Sequence, residues 1–79
     1  MRRQYTPTEW MKATEQDPGL RGLSPGDAAV RLEITEQEVG RLLLSGVLDV
    51  SEICEDGEVV KTVIPERDIE RYVATRKAT

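Results

Sequence analysis

Residues 24–46 read SPGDAAVRLEITEQEVGRLLLSG and contain two helix-start signals close together. Ser24 and Thr35 can each cap a helix by accepting backbone N–H groups, and Pro25 suits a first helical position. Glu38 follows Thr35 at the spacing of a capping box. The stretch therefore predicts two short consecutive helices.

The turn between these helices consists of little more than Glu33 and Ile34, so the helices must cross steeply. Each carries an apolar stripe at helical spacing. The stripes consist of Ala28, Ala29 and Leu32 in the first helix and of Ile34, Val39, Leu42 and Leu43 in and before the second. We expect the stripes to pack together as a helix-turn-helix that ends at Ser45-Gly46, where Gly46 can adopt positive φ.

An additional helix is predicted on each side of this motif. Thr6-Pro7-Thr8-Glu9 is a start signal of the capping-box type, and Asp17-Pro18-Gly19 ends the helix that it opens. Near the other end, Pro65 begins a last helix in which Ile69, Tyr72 and Val73 recur at helical spacing.

Between the motif and the last helix, Asp56-Gly57 separates two β-branched runs, which is typical of a hairpin with a type I′ turn. A two-residue loop would place Cys54 opposite Val59, Glu52 opposite Lys61 and Val50 opposite Val63. The predicted fold is α+β, mainly α: helix, helix-turn-helix, β-hairpin wing and C-terminal helix.

Length and composition indicate one domain covering residues 1–79, with flexible tails at 1–5 and 76–79. The core must be aliphatic because the chain has no Phe, one Trp and two Tyr. No stretch of about 18 apolar residues is present, so we expect no membrane association. The single cysteine, Cys54, cannot form an internal disulfide, which favours a reducing, cytoplasmic location.

The chain lacks the residues on which catalysis usually depends. The chain has no His, and Cys54 has no evident base beside it. No Gly-rich phosphate loop or zinc-ligand spacing is present either. We therefore expect no enzyme activity, no small-molecule substrate, no cofactor and no metal.

Residues 23–73 resemble the excisionase-type branch of the MerR-like winged helix-turn-helix family. The likeness lies in Leu23-Ser24-Pro25, Ala28-Ala29, Ser45-Gly46-Val47-Leu48 and Ile64-Pro65. The resemblance implies double-stranded DNA as partner, with the second helix in the major groove and the wing along the backbone or minor groove. It also implies a transcriptional regulator or a recombination accessory factor. The chain departs from the family pattern at Glu33, at Leu44 and in its acidic wing.

Candidate DNA contacts lie on the second helix of the motif. Gln37 and Arg41, four residues apart on one face, suit adenine and guanine respectively. Thr35 either caps this helix or contacts a phosphate. Glycine inside a helix lowers its stability, so Gly40 indicates that another group comes close to the helix backbone at this position. We expect that approach to come from the neighbouring helix, with DNA backbone as the alternative.

Arg2 and Arg3 are further candidates, either as an arm that contacts phosphates or the minor groove, or as a solvated tail.

Charge favours a different function. The formal net charge is −4, and residues 49–61 carry five carboxylates against Lys61 alone. Phosphate affinity comes from Lys and Arg, so DNA binding by this chain would be weak or would require an oligomer. The alternative is a helix-turn-helix fold used for protein interaction, with Glu52, Glu55, Asp56 and Glu58 docking a basic partner.

Overall fold

The computed structural model describes residues 2–77, in which four α-helices accompany a four-stranded sheet. The elements are β1 (Arg2–Tyr5), α1 (Pro7–Gln16), a 3-10 turn (Pro18–Leu20), β2 (Gly22–Leu23), α2 (Pro25–Leu32), α3 (Glu36–Leu44), β3 (Val50–Glu55), β4 (Glu58–Pro65) and α4 (Glu66–Lys77). The predicted α+β class is confirmed. The helices and the hairpin follow in the predicted order, and β1 and β2 are additional.

Capping hydroxyls begin the first three α-helices where the sequence predicts. At α1 the Thr6 hydroxyl accepts the Glu9 N–H at 3.2 Å, and the Thr6 N–H donates to the Glu9 carboxylate at 2.8 Å. The hydrogen bond from the Thr6 N–H lowers the pKa of Glu9, and the Thr6 hydroxyl adds to the effect. Ser24 and Thr35 accept the N–H of the third residue of α2 and α3 at 3.2 and 3.1 Å.

The turn between α2 and α3 consists of residues 33–35. Glu33 adopts the left-handed conformation, with φ 58° and ψ 42°. Its N–H donates to Val30, and the Ile34 N–H donates to the Ala29 carbonyl at 3.0 Å. A non-glycine residue in this conformation costs about 1–2 kcal/mol, which the packing of the two helices offsets.

The hydrophobic core lies between α2, α3, α4 and the sheet. Its buried members are Ala28, Ala29, Leu32, Val39, Leu48, Ile64 and Ile69. The partly buried side chains around them are Leu23, Ile34, Leu42, Leu43, Tyr72 and Val73. The predicted apolar stripes of α2 and α3 therefore meet as expected.

The hairpin turn has positive φ at both central residues, 54° at Asp56 and 80° at Gly57, as a type I′ turn requires. Cys54 pairs with Val59, as predicted. Beyond this pair the predicted register is wrong. A β-bulge next to Cys54 inserts Val60 into β4 without a partner on β3.

The bulge shifts every later pair by one residue. Glu52 pairs with Thr62 instead of Lys61, and Val63 pairs with Ser51 instead of Val50. Since side chains alternate along a strand, the shift also exchanges the two faces of β4 beyond the bulge. Lys61 consequently lies on the face of the sheet opposite to Glu52.

The sheet has the strand order β1-β3-β4-β2. β1 runs parallel to β3, with Arg2 aligned with Val50 and Tyr5 with Ile53. The expectation of a flexible tail at residues 1–5 is therefore wrong for residues 2–5, because they form a paired edge strand. At the other end, Arg76 and Lys77 belong to α4, and residues 78–79 lie outside the described range.

β2 is a two-residue strand antiparallel to the end of β4, with Gly22 opposite Pro65 and Leu23 opposite Ile64. The Glu66 N–H donates to the Arg21 carbonyl at 2.8 Å. A Cβ atom at Gly22 would lie 1.8 Å from the Ile64 carbonyl oxygen. The absence of a side chain at Gly22 is thus what allows β2 to approach β4.

The two faces of the sheet are covered differently. Trp10, Met11 and Thr14 of α1 lie beside Lys61 and Val63 on one face. Ile64 belongs to the main core on the other face. None of the helices within residues 2–77 is long and apolar enough to cross a bilayer.

Asp68 in α4 is a buried carboxylate, 4% exposed. Its Oδ2 accepts the Asp49 N–H at 2.6 Å and lies 3.4 Å from the Arg71 guanidinium. These contacts attach the entry of β3 to α4. The hairpin is therefore fixed to the helical core at its base.

Candidate nucleic-acid interface and acidic hairpin

One face of α3 carries the predicted DNA contacts and points to solvent. Gln37, Arg41 and Leu44 are four and three residues apart, so they share this face, and all three are exposed. The structure thus brings Gln37 and Arg41 together as expected. The stripe ends in an apolar residue, since Leu44 is 90% exposed.

Arg41 is held by an ion pair within its own helix. Its Nη1 donates to Glu38 Oε1 at 2.7 Å, with the two side chains 66% and 48% exposed. Glu38 was expected to complete a capping box with Thr35, and its carboxylate is instead on Arg41. An exposed pair of this kind is worth about 0–1 kcal/mol, so Arg41 can leave Glu38 for another hydrogen-bond acceptor.

Thr35 occupies the N-cap of α3, and its hydroxyl accepts the Glu38 N–H at 3.1 Å. The capping role is therefore observed, and a phosphate contact by Thr35 stays a prediction. Two carboxylates, Glu36 and Glu38, lie in the first turn beside it. They stabilise the helix N-terminus and disfavour a second anion there.

A side chain at Gly40 would not meet a neighbouring helix. A Cβ atom built at this position meets no atom within 4 Å. The expected reason for this glycine is therefore wrong, because the protein leaves open space where a side chain would be. Gly40 borders the exposed stripe of α3, so the open space faces the same side as Gln37 and Arg41.

Arg3 lies apart from α3. It lines a small cavity of about 60 Å³ together with Leu20, Ser51 and Arg67, and no α3 residue lines this cavity. Arg2 aligns with Val50 in the register of β1 with β3. The structure does not unite Arg3 with Gln37 and Arg41 in one surface.

The four predicted docking carboxylates are all on the β3–β4 hairpin. We call Glu52, Glu55, Asp56 and Glu58 the acidic hairpin. Glu55, Asp56 and Glu58 are exposed at its tip, while Glu52 is half-buried and accepts from Gln4 Nε2 at 3.3 Å.

Sequence reasoning missed a groove beside the acidic hairpin. Its volume is about 340 Å³, and it lies between the C-terminal end of α3 and the sheet. The residues that line it are Leu43, Leu44, Ser45, Gly46, Leu48, Val50, Glu52 and Thr62. The helical spacing of Leu44 from Gln37 and Arg41 indicates that this leucine is exposed. The groove itself could not be predicted, because its lining depends on the register shift in β4.

Comparisons with known protein families, curated proteins and solved structures find no match to this chain. Within residues 2–77, no three His, Cys, Asp or Glu side chains are grouped to hold a metal ion.

Proposed function

We propose that this chain is a DNA-binding protein of the winged helix-turn-helix type, acting as a transcriptional regulator or a recombination accessory factor. The observation that carries the proposal is the exposed face of α3. Gln37 and Arg41 project from it side by side, and Gly40 leaves room beside them. A major groove admits a helix whose exposed side chains reach base edges in this way.

In the proposed complex α3 lies in the major groove and the β3–β4 hairpin serves as the wing. Gln37 pairs with an adenine edge and Arg41 with a guanine edge, each worth about 1–3 kcal/mol of discrimination. In the complex the Arg41 side chain leaves Glu38 and binds the guanine base instead. The hairpin tip carries three exposed carboxylates, so it stays away from the phosphates or is covered by a partner.

Few cations support this interaction, so the isolated chain binds DNA weakly and with strong dependence on salt. The net charge of −4 requires further cations from an oligomer or from a protein partner. A cytoplasmic location belongs to the same proposal, and it is supported by the single cysteine.

Opposite substitutions in the Arg41–Glu38 pair test the proposal. Duplexes bound by the wild-type chain are first enriched from a randomised pool, and affinity is then measured by fluorescence anisotropy at low and moderate salt. Arg41→Ala should lose about 1–3 kcal/mol on the enriched duplex and lose preference at one base position. Glu38→Gln should bind about 2- to 5-fold more tightly, because it releases Arg41 and removes a repulsive charge.

Glu36→Gln is the matched control for Glu38→Gln. It removes the same charge from the same helical turn, but Glu36 does not hold Arg41. A smaller gain in affinity than with Glu38→Gln is expected. Enrichment of no sequence, together with equal binding by wild type and Arg41→Ala, would show that α3 does not read DNA.

Gly40→Ala separates stability from binding. The added methyl group enters open space, so the variant should be more stable by about 0.5–1 kcal/mol, as glycine is less favourable than alanine inside a helix. The same methyl group should weaken binding to the enriched duplex, because it occupies the approach beside Gln37 and Arg41. Chemical denaturation and anisotropy measure the two effects. If Gly40→Ala were more stable but bound the enriched duplex with unchanged affinity, the DNA would not contact α3 beside Gly40.

A protein-interaction function is the second candidate, and one observation favours it. Leu44, at the end of the proposed reading stripe, is 90% exposed and lies beside the acidic hairpin. Apolar surface rimmed by charge is typical of a protein-binding site.

A further inference from the structure

A surface cavity of about 390 Å³ lies between α1 and the sheet, on the sheet face that carries Lys61 and Val63. We call it the Trp10 cavity. Its volume falls within the range of small-molecule sites, which is about 300–1,000 Å³. The residues that line it are Trp10, Met11, Thr14, Arg21, Gly22, Lys61 and Val63.

The α1 side of the Trp10 cavity is held by local contacts. The half-buried Trp10 ring packs edge-on against Tyr5, with ring centroids 5.3 Å apart and planes inclined at 63°. The Thr14 hydroxyl lies 3.0 Å from the Trp10 carbonyl oxygen and 3.1 Å from the Met11 carbonyl oxygen, and it donates to them. Trp10 is therefore fixed in place before any ligand arrives.

Two cations and no carboxylate are found among the described residues that line this cavity. The bulge at Val60 brings Lys61 to this face of the sheet. Arg21 is fixed through its backbone, since its carbonyl accepts the Glu66 N–H at 2.8 Å. Neither Arg21 nor Lys61 forms an ion pair with a carboxylate of residues 2–77. Two uncompensated cations beside an indole favour a ligand with negative charge.

Carboxylates are close to both cations but lie outside the cavity. Glu55 pairs with Glu58 at the next position beyond Lys61 on the same sheet face. Two residues along a strand span about 7 Å. Glu66 lies beside Arg21 in the lining of a neighbouring cavity. These carboxylates reduce the positive potential at the Trp10 cavity, but they do not occupy the position of a ligand.

We propose that the Trp10 cavity binds a nucleotide. The base packs on the indole of Trp10 beside Met11, and the phosphate contacts Arg21 and Lys61. Aromatic side chains bind bases through their π-faces with little dependence on sequence. A phosphate monoester carries a charge of about −1.5 to −2 at pH 7, which matches the two cations.

The nucleotide is either a free monophosphate or an unpaired nucleotide of a single strand, because both supply a base and a phosphate. The site is separate from the proposed reading of duplex DNA, since no α3 residue lines the Trp10 cavity. It therefore does not depend on that function.

The experiment uses the full chain and the fluorescence of Trp10, its one tryptophan, as a direct report from the cavity. The probe is deoxyadenosine monophosphate, and deoxyadenosine and inorganic phosphate represent its two halves. We expect saturable quenching by the monophosphate and about 2- to 5-fold weaker binding of deoxyadenosine, which lacks the charged contact. Inorganic phosphate alone should not quench.

A single strand of about eight deoxyadenosines distinguishes the two sources of the nucleotide. Tighter binding of the strand than of the monophosphate, after correction for the number of nucleotides, would assign the site to single-stranded DNA. Equal binding per nucleotide would assign it to the free monophosphate. Both results support the proposed contacts.

Variants of the chain separate the phosphate contact from the base contact. Lys61→Gln and Arg21→Gln should each weaken the monophosphate about 2- to 5-fold and leave deoxyadenosine unchanged. Lys12→Gln is the matched control, because it removes the same charge from α1 and Lys12 lines no part of the cavity. Glu55→Gln combined with Glu58→Gln should tighten monophosphate binding about 2-fold at low salt and less at high salt.

Three results would overturn the proposal. The first is the absence of saturable quenching by the monophosphate, and the second is equal affinity of wild type and Lys61→Gln for it. The third is a set of backbone amide shifts that excludes residues 10–14, 21–22 and 61–63. Arg41→Ala should leave nucleotide affinity unchanged, so failure of this site and failure of duplex reading by α3 are distinguishable. Circular dichroism of each variant verifies that the fold is intact.

Discussion

Replacing Leu48 with alanine should lower the free energy of unfolding by about 2–5 kcal/mol, because Leu48 is among the largest fully buried side chains of residues 2–77. Leu48 has no exposed surface and belongs to the core cluster with Val39, Ile64 and Ile69. Its N–H also donates to the Leu42 carbonyl at 3.2 Å, so the side chain is held where α3 turns toward β3. The surrounding backbone cannot readily collapse into the cavity.

Domains of this size are stable by about 5–15 kcal/mol at most, so the loss removes a large share of the total. Urea denaturation followed by circular dichroism measures it. Val30→Ala is the control, because the exposed Val30 side chain buries little surface, and it should change stability by less than about 0.5 kcal/mol. Equal midpoints for Leu48→Ala and Val30→Ala would mean that the core is elsewhere.

Gly22→Ala should destabilise the protein by about 1–3 kcal/mol or more, although it adds a single methyl group. The new Cβ would lie 1.8 Å from the Ile64 carbonyl oxygen and 2.8 Å from the Glu66 nitrogen. Both atoms belong to the backbone, so no side-chain rotation relieves the clash. β2 must separate from β4, and the hydrogen bond from the Glu66 N–H to Arg21 is lost with it.

Amide hydrogen exchange is the direct measurement, and the Glu66 amide should exchange much faster in Gly22→Ala. Gly26→Ala is the matched control. There a Cβ would lie 3.0 Å from Glu36 Oε1, the mobile end of an exposed side chain that can move aside. We expect Gly26→Ala to leave stability nearly unchanged. If the Glu66 amide of Gly22→Ala exchanged at the wild-type rate, β2 would not approach β4 as closely as described.

Local chemistry explains why the helices and turns could be predicted. Thr6, Ser24 and Thr35 cap helices because their hydroxyls satisfy N–H groups only three residues away. The Asp56-Gly57 turn follows in the same way from its two positive φ angles. Each of these features depends on a few adjacent residues.

Pairing between distant segments could not be predicted in this way. β1 has a polar sequence without alternation, and its partner β3 is 48 residues away at Gln4 and Glu52. The register of β4 was ambiguous for another reason. Val59 and Val60 are both β-branched and suit either face, so the sequence does not specify which one is bulged.

The sequence predicted which residues of the candidate site share an exposed helix face, but it did not predict all of their side-chain contacts. Helical spacing correctly placed Gln37 and Arg41 on one exposed face. Glu38, however, is three residues from both Thr35 and Arg41, so a capping box and an ion pair were equally compatible with the spacing. In the structure the Glu38 carboxylate accepts from the Arg41 guanidinium.

The parallel pairing of β1 with β3 also determines the order in which the chain can fold during synthesis. Residues 2–5 leave the ribosome well before their partners at residues 50–53 are translated. Closing so long a loop costs entropy that local helix formation does not incur. The α2–α3 pair can therefore form on the nascent chain while β1 is still unpaired, and the β1 edge of the sheet is completed only after β3 has emerged.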